Sequence, residues 1–180
     1  MPRKVVSPRR ERSAEPPVVI LQLPFVSVSK DAGEAGVGFV TLQRPEKRNT
    51  LSADVLGDIE KAFLFLQTRF DLNVIILAGA GKSFSAGAEL SGTFFATGAG
   101  DERETRDQRP SVRQRRYASQ LGRRVIRAIM DCEAITIARV QGHAIGGGFG
   151  LMQACDLRVV SAGAIRDSEQ TMAALTIALP

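Results

Sequence analysis

The chain has 180 residues, 44% of them hydrophobic and 24% charged, which suits one domain with a buried core. Its formal charge of +5 is concentrated in two stretches: 1–17 carries five basic and two acidic residues, and 101–127 carries nine basic and four acidic. Neither stretch is interleaved with aromatics, Cys132 and Cys155 lack metal-ligand spacing, and no apolar run reaches membrane-spanning length. Composition therefore argues against nucleic acid, a metal site, a disulfide framework and a membrane span.

Residues 1–17 hold Arg3, Lys4, Arg9, Arg10 and Arg12 beside two acids and four prolines, which opposes the amphipathic helix of a mitochondrial presequence. A disordered basic arm is expected there, and the unpaired cysteines point to an intracellular protein, cytoplasmic or mitochondrial. From Val18 to Lys30 and again from Val37 to Gln43 the chain is rich in β-branched residues, with turn composition between, the pattern of an antiparallel hairpin. A polar loop, 44–49, leads to Ser52, a candidate cap for a helix whose Val55, Leu56, Ile59, Ala62, Phe63 and Leu66 share one face. Asn73 to Ala78 reads as a buried strand, and Val112 to Met130 as a helix with Tyr117, Leu121, Val125, Ala128 and Ile129 inward. Arg116, Arg123 and Arg127 line another face of that helix, with solvation as the simpler role. Ile135 to Val140 is a further strand and Leu157 to Val160 the last one; Ser161 to Pro180 reads as one short helix. Strands alternating with helices give an α/β or α+β layered fold.

Two stretches carry chemistry. Gly81-Lys82-Ser83 follows a strand as a phosphate-binding loop would, but that motif needs a glycine where Ile76 stands, so a nucleotide-binding loop is excluded on spacing. The run Gly142-His-Ala-Ile-Gly-Gly-Gly-Phe-Gly150 places three consecutive glycines after a strand and ahead of a helix. Bare backbone at the positive end of a helix is a candidate anion or oxyanion site.

Three pieces then coincide in order: Arg44-Pro-Glu-Lys-Arg-Asn-Thr-Leu-Ser52, Ser85-Ala-Gly-Ala-Glu-Leu90, and the glycine run continued through Asp156-Leu-Arg158. Together, across residues 24 to 160, they resemble the enoyl-CoA hydratase/isomerase, or crotonase, family. The resemblance implies a spiral of repeated β-β-α units over 18–160, with the family's C-terminal part missing and 161–180 a divergent tail. It implies that the backbone N–H groups of Ala88 and Gly147 hold a thioester oxygen as it becomes an enolate. Lys47, Arg48, Asn49 and Leu51 would lie along the coenzyme, with Ser85, Ala86, Gly87, Leu90, Gly146 and Gly148 completing the substrate site. Acyl preference would be written in the loop from Ser91 to Pro110, in Leu90, Phe94 and Phe95. The substrate would be an acyl-CoA thioester, no cofactor is needed beyond the coenzyme A it carries, and a homotrimer or hexamer is the family's assembly, joined by the helices absent here.

The chain departs from the pattern at one decisive place. Hydratases of the family carry a glutamate where Gly150 stands, and glycine cannot move a proton. Their second glutamate has no matching segment here; Glu169 lies near the right distance in unlike surroundings. Glu89, Asp156 and His143 are the remaining acid or base candidates, each with a structural role as the simpler reading. The expected function is an acyl-CoA-processing enzyme, hydratase or double-bond isomerase, with Gly150 favouring the isomerase. Its alternatives are an inactive acyl-CoA-binding or regulatory relative, a non-functional truncated product and, last, an arginine-mediated RNA binder.

Overall fold

In the computed structural model the described residues are 16–89, 111–167 and 176–179. Leu90, Phe94, Phe95, Glu169 and nearly all of the expected arm at 1–17 lie outside them.

The strands are β1 (Val18–Gln22), β2 (Val26–Lys30), β3 (Val37–Leu42), β4 (Val74–Gly79), β5 (Ile135–Val140), β6 (His143–Ile145), β7 (Leu157–Ser161), β8 (Ile165–Asp167) and β9 (Thr176–Leu179). The helices are α1 (Ala53–Leu66), α2 (Val112–Met130) and α3 (Gly147–Ala154). Seven strands form one sheet in the order β1-β2-β3-β4-β5-β7-β9, antiparallel through β3 and parallel from there on. β6 and β8 pair in a second, smaller parallel sheet.

The small layer explains the winding. After β3 the chain reaches Leu51, after β4 Ser85 and Ala88, after β5 it forms β6, and after β7 it forms β8. These second segments bridge one another, Leu51 to Ala88 and Ser85 to Ala144, as successive turns of a spiral. Each turn thus lays one strand in the large sheet and one short extended segment in the small layer, the repeated β-β-α unit expected from the sequence.

Helix α1 begins at Ser52, whose Oγ accepts from the Val55 N–H at 3.3 Å, and all six residues of its expected apolar face are buried. On α2, Leu121, Val125, Ala128 and Ile129 are buried, whereas Tyr117 is 55% exposed. Arg116, Arg123 and Arg127 are exposed, as a solvated face requires. The two helices pack together and are tied at the surface by Arg124 to Glu60, 2.7 Å.

Three local expectations are corrected. The run from Val18 to Lys30 is two strands, because Pro24 cannot extend the ladder and the chain turns there, with Leu23 N–H donating to Val26 O at 2.8 Å. His143–Ile145 is a strand where the sequence reads as the approach to a glycine turn, three residues being too few to show a period. Beyond Val160 the described residues form β8 and β9 rather than one helix, so Leu157–Ser161 is not the last strand. β8 adds to the side of β6 and β9 to the side of β7, where main-chain groups offered by a parallel neighbour outweigh the weak helical preference of these residues.

Candidate functional site

The loop after β3 and the loop after β4 are joined at a junction with Asn49 at its centre. Its residue is 1% exposed and left-handed, at φ 53°, a conformation asparagine tolerates better than most residues. The Asn49 Nδ2 donates to the carbonyls of Ala80 at 3.0 Å and Ser83 at 2.8 Å, and its Oδ1 accepts from the Arg44 N–H at 2.9 Å. Buried Ser85 closes the junction, its Oγ donating to Asn49 O at 2.7 Å and accepting from the Gly87 N–H at 3.2 Å. Further main-chain bonds run from Ala86 to Arg48 O, from Leu51 to Gly87 O and from Glu89 to Leu51 O. Asn49, Ser85 and Gly87 therefore act from the interior, holding Ala88 in place.

Outside this junction Glu89 receives Arg44 at 3.1 Å and Lys47 at 2.7 Å. The Arg44 guanidinium, then the Lys47 ammonium, hold the Glu89 carboxyl below the ordinary carboxylate range. Arg44 also lies over the Phe25 ring, 5.2 Å from its centroid. Among the basic residues of this loop, Lys47 is thus committed to Glu89, whereas Arg48 is exposed and makes no ion pair among the described residues.

The three glycines do three different things. Gly146, at φ 51°, is the turn into α3; Gly147 is its first residue; Gly148 lies against Ser85, whose carbonyl oxygen is 2.6 Å from where a Cβ would stand. On the facing loop Gly87, at φ 81°, has no room for a Cβ because the Ile145 carbonyl occupies that position. These close approaches bring the two loops together: the Ala88 nitrogen is 4.0 Å from the position of a Cβ on Gly147. Among the described residues, neither the Ala88 N–H nor the Gly147 N–H meets an acceptor.

Ala88 and Gly147 both line a cavity of about 230 Å3, with Leu51, Leu56, Ile126 and Leu151 as its apolar walls. Gly122 and Gly150 complete the lining. A volume below about 300 Å3 suits part of a ligand rather than a whole coenzyme. The sequence singled out Leu51, Ala88, Gly147 and Gly150 of these; Leu56 read only as an apolar helix position, and Gly122 and Ile126 carried no signal.

The described acid and base candidates stand elsewhere. Asp156 accepts from the Thr136 N–H at 2.8 Å and its hydroxyl at 2.7 Å, tying the end of α3 to β5. Half-buried His143 has its Nδ1 3.2 Å from Ser83 Oγ. Buried Arg158 donates to the carbonyls of Met152, Gln153 and Cys155, capping the negative end of α3. No Asp, Glu or His lines the cavity among the described residues, and none of them groups as a metal-binding cluster. No described helix is long and apolar enough to cross a membrane.

A spiral of β-β-α turns with a glycine-edged apolar cavity defines a crotonase-like protein. The family described as enoyl-CoA hydratase/isomerase matches residues 32–173, and the chain belongs to that family. It is 33% identical over 128 residues to a peroxisomal Delta(3,5)-Delta(2,4)-dienoyl-CoA isomerase of Arabidopsis thaliana, covering 71% of this chain and 45% of the relative. It is 32% identical over 132 residues to a short-chain-enoyl-CoA hydratase of Clostridium acetobutylicum, covering 73% and 45%. Among solved structures, an enoyl-CoA hydratase from Bacillus anthracis superposes with a TM-score of 0.62 at 28% identity, covering 77% of this chain and 48% of that one. The chain thus spans about half the length of the relatives it matches.

Proposed function

We propose that this chain binds an acyl-CoA thioester and that the N–H groups of Ala88 and Gly147 hold its carbonyl oxygen as an enolate forms. The observation that carries the reading is the convergence on one apolar cavity of two main-chain donors that meet no acceptor among the described residues, from loops brought together where Gly148 meets Ser85 and Gly87 meets Ile145. When the proton α to the thioester leaves, negative charge develops on that oxygen. Donors held in place beforehand, at the positive end of α3 and in apolar surroundings, stabilise it without reorganising. Exposed Arg48, which pairs with no acid among the described residues, is the cation of the loop that meets a phosphate of the coenzyme, and no cofactor is needed beyond the coenzyme A of the substrate.

Within the family's chemistry, double-bond isomerisation fits this chain better than hydration. Gly150, at the position of the hydratase glutamate, supplies no carboxylate to hold water, while Glu89 and Asp156 are engaged in ion pairs and hydrogen bonds. A second reading, a silent acyl-CoA binder, is favoured by the same lack of a titratable side chain along the described cavity wall.

Gly147→Pro separates the readings. Proline is tolerated at the first position of a helix, so the substitution removes the N–H while sparing α3. Enoyl-CoA isomerisation and hydration are assayed beside calorimetric binding of a saturated acyl-CoA. Turnover that falls by about 100-fold or more in the variant supports the enzyme; binding without turnover in the unsubstituted chain supports the silent binder. Turnover left unchanged by Gly147→Pro refutes the assigned role of that N–H.

A further inference from the structure

Gly122 and Gly150 face the same cavity from two helices, and neither is there for backbone reasons. Neither has a positive φ, so the left-handed conformation that demands glycine is not involved. Among the described residues neither is pressed against a neighbour: a Cβ on Gly122 would meet nothing within 4 Å, and one on Gly150 only Ile126 Cδ1 at 4.0 Å. Gly122 moreover lies in the interior of α2, where glycine is the poorest choice short of proline. What the two missing side chains do is leave open volume in the cavity, on the side of the apolar walls made by Leu56, Ile126 and Leu151. Gly150 stands three residues along α3 from Gly147, about 4.5 Å of helix rise. The space therefore opens next to the carbons that follow the thioester, not at a distant chain end.

Building on the acyl-CoA reading above, we propose that Gly122 and Gly150 determine specificity by admitting an acyl group that is broad close to the thioester, aryl or branched, in preference to a slender unbranched one. The walls beside the opening are aliphatic, so the added bulk is apolar, and a hydroxylated or charged acyl group finds no described side chain to bond.

The test uses two saturated thioesters, so that binding is read without turnover: 3-phenylpropanoyl-CoA and butanoyl-CoA, titrated calorimetrically against the full chain with free coenzyme A as reference. The unsubstituted chain is expected to bind the phenyl thioester at least tenfold more tightly than the butanoyl one. Gly122→Leu and Gly150→Leu are expected to bring that ratio to one or below while butanoyl-CoA binding persists, which also reports an intact fold. The milder Gly122→Ala and Gly150→Ala should lower the ratio in part. Gly57→Ala, on α1 and equally free of neighbours but away from the cavity, should leave it unmoved. A ratio that none of the four cavity variants shifts, with both thioesters bound, overturns the role of the two glycines alone. Thioesters that bind no better than free coenzyme A overturn the acyl-CoA reading, and this proposal with it.

Discussion

Gly148 rests against Ser85 so closely that a Cβ on it would lie 2.6 Å from the Ser85 carbonyl oxygen and 2.7 Å from the Ser85 Cβ. Two residues further along the same helix, a Cβ on Gly150 would meet, among the described residues, only Ile126 Cδ1 at 4.0 Å. The same substitution should therefore have opposite signs. Gly148→Ala is expected to destabilise the chain by about 1–3 kcal/mol, because Ser85 is itself fixed by two hydrogen bonds and cannot recede. Gly150→Ala is expected to stabilise it by up to about 1 kcal/mol through helix preference. Urea denaturation of the pair measures both.

Asn49→Ala removes three hydrogen bonds from a buried junction and strands the Ala80 and Ser83 carbonyls and the Arg44 N–H. A loss of about 3 kcal/mol is expected, at the upper end for an unsatisfied buried group because the left-handed φ also disfavours alanine. The measurement is again the urea midpoint. Since Asn49 acts on Ala88 only through the backbone, acyl-CoA affinity measured where the variant is still folded should fall less than it does in Gly147→Pro.

Glu89 gives the chain an acid-side pH dependence. Its carboxyl, held low by Arg44 and Lys47, is ionised in the folded state at pH values where the unfolded chain has already taken up a proton. The stabilisation is therefore complete above the unfolded value of about 4.5 and is lost as pH falls through the lower, folded one. Melting temperatures from pH 7 to pH 3 should fall less steeply in Glu89→Gln than in the parent chain. Equal slopes would mean that the ion pairs do not persist in solution.

The two thiols should be slow. Burial pushes Cys155 up to about 12, and burial raises half-buried Cys132 as well. At pH 8 both are protonated, so iodoacetamide is expected to leave Cys155 unmodified until the chain is unfolded and to label Cys132 more slowly than a free thiol. Mass spectrometry of timed samples, with and without urea, reads this directly.

Much of the fold was legible because it is written in period and composition. The six apolar residues of α1 recur at helical spacing, Ser52 stands where a cap belongs, and all seven behave accordingly. β8 and β9 were not legible: short, weakly biased segments become strands only where a neighbouring strand offers its main chain. Tyr117 follows the helical period of α2 yet is exposed, since periodicity says which residues share a face and not how far along it the contact extends.

The candidate site divides along the same line. Sequence alone supplied the family resemblance, the bare backbone at Gly146 to Gly148, the partner loop at Ser85 to Glu89, and the glycine at 150, because each is a contiguous pattern with local chemical meaning. Folding determined that Asn49 faces inward to join two loops, that Lys47 is paired with Glu89, and that Gly122 meets Gly150 across a cavity whose walls come from α1, α2 and α3. A cavity is empty space shared by elements distant in the chain, and no local run of residues encodes it; only their packing does.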